Sequence, residues 1–174
     1  VEKCTLELLE KEDSFFGMFL IQMKRVVSLK LPSPLATAPL NEGFVLYINP
    51  RTLLTCTKRE MKALLKHEIY HIMYSHPQRI DALRNKYSLR AINIAMDISV
   101  NQYIRDLPPW SKRLDSINLE YNMYLEPNRT LEEYVEGVQK AIDALSDDKE
   151  EKQMDMDFEL DMDEAHMLWL ENSD

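Results

Sequence analysis

Glycine is nearly absent, with 3 residues in 174, and proline contributes only 8. A chain with so little of either is not collagen-like and not a flexible low-complexity linker. Cysteine is scarcer still: Cys4 and Cys56 make no disulfide framework and no CxxC pair. No apolar run approaches the roughly 20 residues that a membrane-spanning helix needs. Nor does a basic segment followed by an apolar core open the sequence, so no signal peptide is expected. Reduced thiols in the cytoplasm are therefore the default expectation. A basic stripe able to displace counterions from nucleic acid is also missing, and no nucleic-acid or membrane partner is expected.

What remains is ordinary for a globular protein: 45% hydrophobic and 29% charged residues in 20.5 kDa. That length can bury a core without disulfide support. The formal charge of −9 is unevenly placed. From Asp143 onward there are 13 acidic and 2 basic residues, whereas residues 1–142 carry 19 basic and 17 acidic ones. The expected organisation is one domain over 1–145 and an acidic C-terminal tail over 146–174.

Leu6, Leu8, Leu9, Phe15, Phe16, Phe19, Leu20, Met23 and Val27 recur at helical spacing and predict a helix over residues 5–30. Glu12-Asp13-Ser14 is a candidate interruption, with Ser14 capping a second segment. Leu31-Pro32-Ser33-Pro34 then breaks the helix, since proline removes a donor and clashes with the preceding turn. A short strand over 35–38, a turn at Asn41-Glu42-Gly43 and a strand over Phe44–Ile48 predict a hairpin or small sheet, ended by Asn49-Pro50.

Thr57 and Glu60 stand at capping-box spacing. They open a helix whose apolar stripe, Met61, Leu65, Ile69 and Ile72, runs to about Tyr74, where His76-Pro77 closes it. Another helix is predicted over Ser88–Ile104, with Ile92, Ala95, Met96, Val100 and Tyr103 inward and Leu107-Pro108-Pro109-Trp110 after it. Residues 111–129 read as mainly loop. Thr130 and Glu133 form a second capping box for a helix to about Leu145, and residues 146–164 read as a solvated acidic segment.

The chemistry is concentrated in His67-Glu68-Ile69-Tyr70-His71, an HExxH sequence inside the capped helix. Spacing of i, i+4 puts both imidazoles on one face, where they can share a zinc ion. Glu68 projects at an adjacent angle, from which a carboxylate can deprotonate a zinc-activated water without ligating the metal. The plainer alternative makes both histidines packing residues and Glu68 a helix-stabilising charge.

A catalytic zinc site usually has three protein ligands and one open position. Two residues compete for the third place. His76 follows His67 by nine residues, about 900° along a continuous helix and so half a turn off the motif's face. It can approach only if the helix breaks near Ser75, and no glycine follows His71 to turn the chain sharply. Asp97 lies 26 residues beyond His71 on the next predicted helix, and a helix–loop–helix return can bring such a carboxylate beside the histidines. Asp97 is the preferred ligand and His76 the alternative. As plain structural residues, His76 would be a helix C-cap and Asp97 a partner for Arg79 or Arg90.

Several spaced motifs occur in order: Phe15-Phe16-Gly17, Thr37, Gly43, Leu46-Tyr47-Ile48-Asn49-Pro50, the HExxH, His76, Arg79 and Asn93-Ile94-Ala95…Asp97…Val100-Asn101. In these the chain resembles the putative metallopeptidase domain of bacterial and phage proteins often joined to a von Willebrand factor A-like domain. The resemblance covers about residues 14–110, with a weaker echo at Asp163, His166 and Trp169. It implies a zincin-type domain, a zinc ion and peptide-bond hydrolysis, and it strengthens Asp97 as a ligand. The sequence departs from that family at Ile92, where a large aromatic is usual, and it contains no DxSxS motif.

The expected fold is therefore α+β and zincin-like, mostly helical with a small β-sheet beside the HExxH helix. The expected function is a zinc metallopeptidase acting on protein or peptide substrates, with His67, His71 and Asp97 on zinc and Glu68 as general base. The rival is a zinc-binding or metal-free interaction module without turnover, working through the acidic tail and the Leu107–Trp110 turn with a regulatory protein partner. Tyr70 and Tyr74 are candidate oxyanion stabilisers, though helix tyrosines more often pack. The Phe44–Ile48 strand can pair with an extended peptide if it forms the sheet edge. Asp163 with His166 is a candidate autoinhibitory segment, and the methionines read as filler.

Overall fold

In the computed structural model, which describes residues 1–10 and 13–145, the apolar stretch near the N-terminus forms three elements and not one. Helix α1 spans Glu2–Glu10, α2 spans Ser14–Gln22, and strand β1 spans Lys24–Val27. Asp13, not Ser14, occupies the N-cap of α2, without a side-chain capping bond. Gly17 lets the two helices approach, because a Cβ there would lie 2.6 Å from Leu9 Cγ and 2.7 Å from its backbone nitrogen. Helical periodicity overran residues 24–27 because pairing with a distant strand overrides local preference, and Val26-Val27 suits extended backbone.

Strands β2, Leu35–Leu40, and β3, Gly43–Ile48, form the expected hairpin, with Leu40 opposite Gly43. Gly43 takes φ +94°, a backbone conformation that side chains rarely adopt. The strand order is β1-β3-β2, β3 running parallel to β1 and antiparallel to β2. Phe44–Ile48 therefore lies in the central strand with both edges paired, which removes it as a docking edge for a peptide. The edges carry residues that discourage further pairing: Lys24 and Arg25 on β1, and Pro39, which has no N–H, on β2.

Asn49 ends β3 and caps the short helix α3, Pro50–Leu53, accepting from Arg51 N at 3.0 Å. Helix α4, Lys58–Met73, begins at the expected capping box. Thr57 Oγ1 accepts from Glu60 N at 3.3 Å, and Glu60 Oε2 accepts from Thr57 N at 2.7 Å. Its buried face is Ala63, Leu64, Leu65, Glu68, Ile69 and His71, packed on β2, α1 and α2. Residues 1–77 and 105–108 belong to one compact unit.

Residues 78–104 and the described residues from 109 onward belong to a second unit. His76-Pro77 does not merely close α4; it opens a further helix, α5, His76–Leu83, where proline in a first turn costs no hydrogen bond. Helix α6, Leu89–Asn101, is capped by Ser88, whose side chain accepts from Ala91 N at 3.2 Å. The helix is buried nearly all round, but Tyr103, expected on its inner side, lies beyond its end and is 47% exposed. The supposed loop 111–129 contains helix α7, Leu114–Glu120, whose Leu114 and Ile117 are buried. Helix α8, Leu131–Leu145, starts at the expected Thr130 and Glu133 capping box. It buries Leu131, Tyr134, Val135, Val138 and Ile142 along one stripe and packs on α6. The acidic segment 146–164 and the pair Asp163 and His166 lie outside the described residues.

No helix among the described residues is long and apolar enough to cross a membrane.

Candidate metal centre

The capping box fixes where α4 begins, and the helical repeat then sets the directions of His67, Glu68 and His71. His71 and Glu68 are buried, 5% and 8% exposed, while His67 is half-buried. The Nε2 atoms of His67 and His71 lie 2.8 Å apart, with the rings edge to face. Two imidazole nitrogens are thus turned toward one point, as a shared metal requires.

Glu68 is anchored from the sheet. Thr37 Oγ1, on β2 and 1% exposed, donates to Glu68 Oε2 at 3.0 Å. The sequence names Thr37 only as part of a family pattern, without a role. A lone hydroxyl among the buried residues of Leu35-Ala36-Thr37-Ala38 was the available signal, because a buried hydroxyl needs a partner.

The helix does break where a His76 approach demands it. Tyr74 is the C-cap of α4, and Ser75 takes φ +53°, so serine makes the left-handed turn that glycine usually makes. His76, 1% exposed, then lies against His71, Nδ1 to Nδ1 at 2.7 Å. It therefore meets His71 on the ring nitrogen that is not directed at His67.

Asp97 sits on α6 and is half-buried, in contrast to the buried residues on either side of it. Asp97, the preferred third ligand, belongs to the second unit, whereas His67 and His71 belong to the first. Arg79 forks onto Glu132, with Nη2 at 2.6 and 2.5 Å from the two oxygens, and Arg90 Nη2 donates to Tyr121 Oη at 2.9 Å. Asn93, one turn before Asp97, keeps a buried Nδ2 without a hydrogen-bond partner among the described residues.

The aromatic motif near the N-terminus packs on the outer side of α4. The Phe16 ring lies 5.5 Å from that of Tyr70, which stacks on Tyr74 at 6.0 Å. Lys66 pairs with Asp13 at 2.5 Å and lies over Phe16. Burial pushes the Tyr70 phenol above its ordinary value, and Tyr74 and Asp13 add to this, so it keeps its proton at neutral pH. Tyr70 is half-buried, while Tyr74 is 39% exposed.

In general, two histidines and a carboxylate are a donor set that suits zinc. Residues 2–108 match a family described as a putative metallopeptidase domain. No curated protein and no solved structure matches the chain.

Proposed function

The chain belongs to the putative metallopeptidase domain family, which implies a bound metal ion, and from that premise we propose that it is a zinc-dependent peptidase with a zincin-like fold. The observation that carries the reading is the buried Glu68, held by Thr37 beside two histidines whose Nε2 atoms converge. His67, His71 and Asp97 would hold the zinc, and a protein or peptide would be the substrate.

Bound zinc would supply Lewis acidity, lowering the pKa of water toward ~7 and polarising a peptide carbonyl. The remaining work falls to the chain. Glu68 takes a proton from water on its carboxylate and passes it to the leaving amine. Thr37 restrains the rotation of that carboxylate through Oε2. Glu68 is only 8% exposed, so bulk water has little access to its side chain.

Glu68→Gln tests the reading directly. The variant should fold and retain one zinc per chain by elemental analysis, yet lose hydrolysis of a fluorogenic peptide library by about 100-fold or more. Undiminished turnover would remove Glu68 as the base. Wild-type protein purified with iron in place of zinc would overturn the choice of metal, because the same donor types also suit ferrous iron.

A further inference from the structure

Three of the chain's four histidines fall between residues 67 and 76, and only two are used above. His71 engages both ring nitrogens: Nε2 lies 2.8 Å from His67 Nε2, and Nδ1 lies 2.7 Å from His76 Nδ1. A neutral imidazole carries one proton, so these contacts are coupled. If Nε2 of both His67 and His71 is to donate its lone pair to a metal, the His71 proton must sit on Nδ1. That N–H then donates to His76 Nδ1, and His76 carries its own proton on Nε2. In the opposite arrangement His76 Nδ1–H donates to His71, the His71 proton moves to Nε2, and the nitrogen facing His67 can no longer ligate.

We propose that His76 is a positioning residue, not a ligand: its Nδ1 accepts from His71 and holds His71 in the tautomer whose Nε2 is open to the metal. This rests on the metal-site reading above. The ring has little freedom to do otherwise. It is 1% exposed, set edge to face on His71 at 4.9 Å between centroids, and flanked by the Tyr74 ring at 5.8 Å. The left-handed Ser75 supplies the turn that brings it there, a conformation that costs a non-glycine residue about 1 kcal/mol or more. Outer partners of this kind fix ligand orientation and raise ligand basicity.

The test compares wild type, His76→Ala and His76→Asn on the full chain. Zinc affinity is read by competition with a chromophoric chelator, and folding by circular dichroism. Asparagine can place its Oδ1 near the position of the imidazole Nδ1 and so keeps the acceptor. His76→Ala should bind zinc about 10- to 100-fold more weakly, and His76→Asn should recover most of that loss. Ring-nitrogen NMR of the metal-free protein should find the proton of His71 on Nδ1 in wild type and redistributed in His76→Ala. The proposal is overturned if His76→Ala binds as tightly as wild type, if His76→Asn is as weak as His76→Ala, or if wild-type His71 is protonated on Nε2. A wild type that binds no zinc yet holds His71 as the Nδ1–H tautomer would overturn the metal reading and leave the tautomer assignment standing.

Discussion

Replacing Thr37 with valine removes one oxygen and keeps the shape of the side chain, so it deletes the bond to Glu68 without opening a cavity. Thr37 is 1% and Glu68 8% exposed, and their 3.0 Å contact joins β2 to α4 across 31 residues of sequence. A hydrogen bond to an ionised group contributes about 1.5–3 kcal/mol, and water has little access to replace the lost donor. At 2–4 °C per kcal/mol for a chain of this size, Thr37→Val should lower the melting temperature by about 3–12 °C. If that energy also restrains the base during turnover, hydrolysis should fall by up to about 10- to 150-fold. Thermal unfolding at pH 7 measures the shift in melting temperature, urea unfolding the loss in free energy, and peptide hydrolysis the loss of turnover. Thr37→Ser is the control: it keeps the hydroxyl and loses one methyl, a cost of about 0.8 kcal/mol. The reasoning fails if valine is within about 0.5 kcal/mol of wild type, the usual range of neutral substitutions, or if serine is as damaging as valine.

Two other perturbations test the scaffold. Gly17→Ala should destabilise by about 1–3 kcal/mol in urea despite alanine's better helix propensity, because the new Cβ would meet Leu9 at 2.6 Å; a neutral or stabilising result would show that α1 and α2 can separate without cost. The Arg79 guanidinium holds the Glu132 carboxyl below the usual carboxylate range, the hydrogen bond being the chief cause. A depressed folded pKa gives stability that is full above the unfolded value of about 4.3 and is lost as pH falls through the folded value. Glu132→Gln should therefore be less stable than wild type above about pH 5, with the gap closing in acid. Glu132 is 56% exposed, so solvent screening limits the gap to about 0.5–1 kcal/mol. A gap that persisted at pH 2 would assign the effect to packing.

The local grammar of the chain was legible without a structure. The two capping boxes, the turn at Gly43 and the i, i+4 face of His67 and His71 each depend on residues within one turn of each other. Such features carry their own partners in the sequence, and they placed α4, α8 and the hairpin, while apolar spacing placed α6. Tertiary context decided the rest. Residues 24–27 leave the helix because β3 offers them a parallel partner twenty-one residues away, and that same pairing puts Phe44–Ile48 in the middle of the sheet. Helices α5 and α7 are short, with too few turns for a period to stand out. The partners of the candidate site belong to this second class. Nothing near residue 37 indicates that its hydroxyl meets Glu68. The side of His71 that receives His76 depends on one left-handed serine, a backbone choice that local preference disfavours and that only the packed structure can impose.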